Sequence, residues 1–441
     1  MNTLLIAIAV PIAATIATLL ACIPGLHIYN VLGLLLLGYF RFATTGIPQD
    51  VLAAIMVAMV SAYAVGNTIP AILLAAPDES ALLTVLPGQK MLLAGKGREA
   101  ILITALGSLA ALIAIAITMP FLPSILPTVY TVTRQHTHWI LWAIILFMLL
   151  SEWPKSIPPG RRSIERFLLA NKAPAVGLAV FFLSGLLGCI LFFRSPLSHA
   201  NAFQNLMPAF VGLFTLPWLL WNICSDLQPP PQNADDAPPD EAPAIETLRQ
   251  GALAGILGGG FAAFFPVITG GIGGMLAGHA TALKSQHAFL VSQGASKSIY
   301  YTGGTLLLFV PGLQLTRGGA GWMLQSTVRA GSNHLYWLAG GAALAGGAIA
   351  LLWMNRLAHG TLQLTQQTGY RKISIGSAIL MIAIVAVFSG WAGIAVMIVA
   401  TAIGLLPLLY GTRRMNGLGV ILLPIACSMS GLAPTITRLL F

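Results

Sequence analysis

From Thr247 to the C-terminal Phe441 the chain contains no aspartate and no glutamate. Charge is scarce everywhere: 8% of the 441 residues are Asp, Glu, Lys or Arg, against about 25% in a soluble domain. With 57% hydrophobic residues, no soluble fold of this length has interior enough for its apolar surface. A bilayer accepts apolar side chains from every direction, and each spanning helix needs roughly 20 of them. Other absences narrow the chemistry. The four cysteines, Cys22, Cys189, Cys224 and Cys427, are far apart and form no CxxC or Cys/His pair, so no metal site is expected and they read as packing residues. Gly95-Lys96-Gly97 lacks the upstream glycine spacing and the Ser/Thr of a phosphate-binding loop, and HExxH does not occur. Gly294-Ala295-Ser296 specifies no partner histidine, so a serine nucleophile has no support. Neither an enzyme nor a cofactor is expected.

What is present is a series of about 10–13 hydrophobic segments, some full spans and some half-length. The expected class is all-α, a polytopic helical protein of the cell inner (plasma) membrane. The first segment, Met1 to Cys22, has no basic start region and no small-residue cleavage pattern, so it reads as a retained helix rather than a signal peptide. The net charge of +10 is not a nucleic-acid signature. Its basic residues cluster in short connections, Lys90 to Arg98, Lys155 to Lys172, Arg356 to Lys372, and Arg413 with Arg414, the distribution that keeps loops on the cytoplasmic side.

One stretch, 225–246, is rich in proline and carries six of the chain's twelve carboxylates without a lysine or arginine. It reads as an extended linker between an N-terminal membrane half, 1–224, and a C-terminal half, 247–441. The halves correspond weakly, which suggests inverted repeats. Ile23-Pro24-Gly25-Leu26-His27 interrupts an apolar run early in the first, and Phe265 to Gly274, with Pro266, Thr269, Gly270 and Gly271, does so in the second. A second interruption follows in each, at Ala76 to Ser80 and at Val310-Pro311-Gly312-Leu313. Glycine and proline are frequent in membrane helices in general. Paired interruptions, however, predict broken or re-entrant helices. Their freed backbone groups survive at membrane depth only inside protein or along a wet cavity, so a substrate site is expected there.

Of the six carboxylates outside the linker, Asp50 suits a helix start, and Glu99, Glu152 and Glu165 sit among basic residues. Asp78 and Glu79 end a short apolar stretch, as at the tip of a half-helix. Neighbouring carboxylates suit reversible protonation or a coupling cation. The second half supplies cations instead: His279, Lys284, His287, Lys297 and Arg317. Lys284 and His287 fit a solvated loop equally well. Lys297 and Arg317, beside glycine-rich backbone, suit an anion, and Asn67, Thr68, Thr269, Ser296, Ser298 and Thr302 could complete a polar cavity.

These blocks resemble the large membrane subunit of the tripartite tricarboxylate transporters. The resemblance runs from Pro24-Gly25-Leu26 through Ala71-Ile72-Leu73-Leu74, Pro77 and Lys96 to Ala100, to Leu106-Gly107-Ser108. It resumes at Ser184 to Gly188 and Met207 to Phe214, then at Gly255, Pro266, Gly303-Gly304 and Val310-Pro311-Gly312. It implies a two-halved permease taking up a carboxylate on an ion gradient, by symport of H⁺ or Na⁺, with a small membrane subunit and an extracytoplasmic binding protein as partners. The chain departs from the family pattern at His27, where glycine is usual, at Asp78-Glu79, and at Ser296-Lys297-Ser298-Ile299-Tyr300-Tyr301. The expected substrate site comprises Pro24, Gly25, His27, Asn67, Thr68, Thr269, Gly270, Gly271, Ser296, Lys297 and Arg317, with Asp78 and Glu79 binding the coupling ion. The expected cargo is a small organic anion; the alternative is a polyprenyl phosphate or other anionic lipid.

Overall fold

A computed structural model describes residues 2–41, 46–74, 76, 85–152, 163–197, 206–225, 231–232, 244–281 and 285–440. Asp78, Glu79 and Lys284 lie outside these residues. The described residues are helical almost throughout, as an apolar environment requires, because a helix satisfies its backbone groups within itself. In chain order the helices are α1 (Asn2–Ala21), α2 (Ile28–Arg41), α3 (Gln49–Gly66), α4 (Thr68–Leu73), α5 (Val85–Leu93), α6 (Gly97–Thr118) and α7 (Leu122–Thr133). Then come α8 (Thr137–Leu150), α9 (Ser163–Phe193), α10 (Met207–Phe210), α11 (Leu216–Cys224), α12 (Ile245–Phe264), α13 (Gly270–Ala280) and α14 (Gln286–Ser298). The last are α15 (Gly304–Leu306), α16 (Gly318–Gln325), α17 (Asn333–Thr368), α18 (Tyr370–Tyr410), α19 (Gly419–Met429) and α20 (Ala433–Leu440). Two wider π-helical turns, Val211–Thr215 and Ile299–Gly303, join α10 to α11 and α14 to α15.

Seven helical stretches among the described residues are long and apolar enough to cross a membrane, and two shorter apolar ones, Ile28–Arg41 and Arg414–Met429, accompany them. The chain is thus an all-α, multi-pass membrane protein. The 41-residue α18 is two helices meeting at Gly390, whose φ of 60° and ψ of −159° are non-helical.

The helices form two compact units, each discontinuous in sequence. The first takes Met1–Tyr130 and Ser225–Ser377, the second Thr131–Cys224 and Ala378–Phe441. In the first unit the span Gln49–Leu73 is enclosed over 94% of its apolar window, with α1 and α17 against it. Beside it, α14 packs between α12 and α6. Close approach is set by glycine. Gly251, Gly255 and Gly259, one per turn of α12, bring its backbone onto α14: a Cβ at Gly255 would lie 2.3 Å from the Ser292 carbonyl oxygen. On the other flank of α14, a Cβ at Gly294 would lie 2.0 Å from the Thr104 carbonyl oxygen. Gln232 is held in the same unit, its Nε2 donating to the Leu92 carbonyl at 2.8 Å and its Oε1 accepting from Gly97 N–H at 3.0 Å.

In the second unit α9 and α19 meet through Gly188, where a Cβ would lie 2.0 Å from the Val420 carbonyl oxygen. Glu152 accepts there from Arg413 N–H at 3.0 Å and Asn416 Nδ2 at 3.4 Å, which ties down the turn before α19.

Candidate functional site

The residues the sequence points to fall in the first unit, around two irregular helices. The α3 helix stops at Gly66 because Pro70 has no N–H to offer the carbonyl four residues back. Asn67 takes the turn and Thr68 opens α4. Asn67 Nδ2 donates to the Tyr63 hydroxyl at 2.7 Å, while its Oδ1 is buried without a hydrogen-bond partner.

Opposite, α14 carries Ser296-Lys297-Ser298 directly before the π-helical turn Ile299–Gly303, a local widening that often accompanies functional sites. Lys297 is 2% exposed, and its Nζ donates to Thr68 Oγ1 at 2.9 Å. Thr302 Oγ1 donates to Ser61 Oγ at 3.2 Å, and the Tyr63 and Tyr301 rings meet edge to face with centroids 5.9 Å apart. The three contacts, 61 with 302, 63 with 301 and 68 with 297, show the two helices crossing antiparallel at their irregular points. Ser298 Oγ is buried there without a partner. Burying an ammonium and leaving polar oxygens unsatisfied each costs free energy, and folds keep such arrangements mainly where function needs them.

The interruption between α12 and α13 lies against this crossing. Val267 adopts a left-handed φ of 57°, and Thr269 caps α13 by accepting from Ile272 N–H at 3.4 Å. Ser296 Oγ donates to the Gly270 carbonyl at 2.7 Å. A Cβ at Gly270 would approach Lys297 Cα to 3.1 Å and Tyr300 Cβ to 3.2 Å, so the bare backbone lets the first turn of α13, Gly271 included, close on α14. The first turn of α13 thus packs on the backbone at Lys297, whose ammonium reaches across to Thr68.

The interruption between α1 and α2 brings the fourth side. Pro24 and Gly25, at φ 81°, turn the chain so that His27 sits among tyrosines, with ring centroids 4.3 Å from Tyr29, 5.5 Å from Tyr63 and 6.0 Å from Tyr301. His27 Nε2 is 2.9 Å from the Tyr301 hydroxyl, and Nδ1 accepts from Tyr29 N–H at 3.1 Å.

Arg317 is engaged differently. Its Nε donates to the Phe264 carbonyl at 2.8 Å and its Nη1 to the Thr316 carbonyl at 3.2 Å, so the guanidinium covers the C-terminal end of α12. The fold thus gathers His27, Asn67, Thr68, Gly270, Ser296 and Lys297 through shared neighbours, with Pro24, Gly25, Thr269 and Gly271 shaping the turns. Asp78 and Glu79 lie outside the described residues. His287 meets Glu99 at 3.7 Å, in a partly buried pair away from this crossing. Among the described residues no cluster of His, Cys, Asp and Glu could hold a metal ion.

Sequence reasoning missed Ser61, Tyr63 and Tyr301 as neighbours of the site. The only available signal was hydroxyl-bearing residues inside strongly apolar helices. It also missed the glycine stripe of α12, legible as glycine at every fourth position.

The chain is 27% identical over 213 residues to an uncharacterized protein, MJ1079, of Methanocaldococcus jannaschii, an alignment covering 47% of this chain and 46% of that protein. The chain thus spans about half the length of that relative. No solved structure matches it. Residues 7–419 match the tripartite tricarboxylate transporter TctA family. With nearly the whole chain covered, this protein belongs to the tripartite tricarboxylate transporter TctA family.

Proposed function

We propose that the chain is the permease subunit of a secondary transporter that carries an organic anion of the carboxylate class, driven by an H⁺ or Na⁺ gradient. The observation that carries this reading is Lys297. An ammonium on a residue 2% exposed, whose backbone packs on the first turn of α13 and whose Nζ is bonded to the break between α3 and α4, offers a desolvated positive site where two irregular helices meet. In this reading Lys297, Thr68, Asn67, Ser296 and the backbone around Thr269, Gly270 and Gly271 contact the anion. The turn Pro24-Gly25 and His27 close its other side, Arg317 holds the end of α12 beside it, and Asp78 and Glu79 bind the coupling cation.

Pairing of a break from 1–224 with one from 247–441 supports two related, inverted halves. The polar substitutions at His27, Asp78-Glu79 and Lys297 support a divergent branch with its own substrate. Family membership supports placement in the inner membrane, with a small membrane subunit and an extracytoplasmic binding protein as partners. Translocation of a lipid phosphate would require a lateral slot reaching the cation, and the enclosure of Lys297 favours a soluble anion.

The test is uptake of labelled di- and tricarboxylates into proteoliposomes under imposed H⁺ and Na⁺ gradients. Gradient-dependent uptake that disappears in Lys297→Gln and Asp78→Asn supports the reading. Uptake indifferent to both gradients, or unaltered by both substitutions, refutes it.

A further inference from the structure

Arg414, in the connection between α18 and α19, is a cation with most of its hydrogen bonds unmade. Its Nη2 donates to the Phe214 carbonyl, in the π-helical turn Val211–Thr215, and its Cζ stands 5.6 Å from the centroid of the Trp218 ring. Gly417 lets the chain close on the same segment: a Cβ there would lie 3.2 Å from Phe214 Cε1. Nε and Nη1 are buried without a hydrogen-bond partner. Nε carries one hydrogen and Nη1 two, so three of the five guanidinium donors are unanswered.

Glu152 accepts from Arg413 N–H and from Asn416 Nδ2, and no carboxylate among the described residues pairs with Arg414. An arginine does not shed its proton to escape burial, so its desolvation is offset only by an anion or by water. A guanidinium suits phosphate oxygens above all, since several of its N–H groups donate to them at once. The surroundings favour a phosphate that a lipid carries. Near Trp218, α11 leaves Leu220 and Trp221 exposed, and Tyr410, exposed at the end of α18, lies 4.7 Å from the Lys172 ammonium. Exposed tryptophan and tyrosine beside lysine and arginine mark the level of lipid head groups. Arg413 and Arg414 form one of the chain's basic connections, expected on the side where a bilayer surface is anionic. Arg414 as a residue is partly exposed, which sets it at the edge of the second unit.

We propose that Arg414 anchors a binding site for the phosphate of an anionic lipid, held by Nε and Nη1 beside the π turn of the second unit. The lipid supplies the counter-charge that the chain lacks there and fastens the connection before α19 to α10 and α11. The site shares no residue with the one around Lys297, and its occupant is a structural ligand of the protein, not its cargo.

The experiment is native mass spectrometry of the delipidated full chain, titrated in detergent with dioleoyl phosphatidylglycerol or dioleoyl phosphatidylcholine. Both carry a phosphate, but the choline of the second neutralises it. The first phosphatidylglycerol should bind at least about fivefold more tightly than phosphatidylcholine. Arg414→Gln should remove that preference and Arg414→Lys should keep part of it. Lys90→Gln, at an exposed lysine of the other unit, should keep all of it. A preference that persists in Arg414→Gln, or that Lys90→Gln abolishes equally, overturns the site in favour of general attraction between charges. Inorganic phosphate is the third arm, read as a rise in thermal midpoint. A saturable rise in the wild type without lipid preference overturns the lipid and assigns a soluble phosphate; neither effect overturns the site altogether. If Arg414→Gln does not fold, cryo-electron microscopy of the wild type in phosphatidylglycerol nanodiscs decides. Phosphate density against Nε and Nη1 supports the proposal, whereas water alone at the guanidinium refutes it.

Discussion

Lys297 and Thr68 are 229 positions apart in the chain, yet the Lys297 ammonium donates to the Thr68 hydroxyl at 2.9 Å in a site with almost no solvent. The bond joins the last turn of α14 to the first residue of α4, and so couples the two irregular helices on which the proposed site depends. A hydrogen bond to a charged group contributes about 1.5–3 kcal/mol, and more is lost when the buried partner is left unsatisfied. Thr68→Val, nearly isosteric without the hydroxyl, is expected to cut carboxylate uptake at least about tenfold. Thr68→Ser should restore most of it. Equal loss in both variants would point to the Thr68 methyl group, and to packing rather than the bond.

The glycine stripe of α12 makes a paired prediction. Gly255→Val should destabilise the protein in detergent by roughly 1–3 kcal/mol, because a Cβ there would sit 2.3 Å from the Ser292 carbonyl oxygen and backbone must move. Gly260, on the same helix with nothing within 4 Å of an added Cβ, should accept alanine without loss. Thermal denaturation of the two variants decides it, and a Gly255→Val protein as stable as wild type would refute the close-packing account.

Arg317 should behave first as a clasp on α12. Replacing it with alanine removes the bond from Nε to the Phe264 carbonyl and is expected to lower stability by about 1–3 kcal/mol, with lysine recovering part of the loss. The measurement is the thermal midpoint of each variant, with and without carboxylate. Protection by the ligand that survives in Arg317→Lys would assign the residue to the fold rather than to the anion.

Gln232 holds the loop between α5 and α6 from two sides. Gln232→Ala should leave Gly97 N–H without its acceptor and speed its hydrogen exchange by about tenfold, while amides in the middle of α6 stay protected. Exchange at Gly97 unchanged from wild type would show that the bond is not formed in the membrane.

Several features were legible in one dimension. The α1–α2 and α12–α13 interruptions lie at Pro24-Gly25 and Pro266, and Gly390 divides α18, because missing donors and left-handed backbone are local properties that a sequence displays directly. The break at Asn67 was legible only as the start of the short stretch that reads as a half-helix; that Pro70 ends α3 there was not read. Arg317 shows a related limit. The sequence sets a cation near glycine-rich backbone, and only three dimensions bring its Nε to the Phe264 carbonyl at the end of α12 and its Nη1 to the Thr316 carbonyl.

The sequence by itself therefore determined the solvent, the helical class and most of the places where helices break, since each follows from the chemistry of single residues and their near neighbours. Only the tertiary structure decided that Lys297 meets Thr68, that Thr302 meets Ser61, and that His27 is enclosed by Tyr29, Tyr63 and Tyr301. Those contacts depend on two helices crossing antiparallel at one height. The position of α14 itself is fixed by glycine approaches to α12 and α6, and which distant backbone each glycine meets is not written in any local pattern.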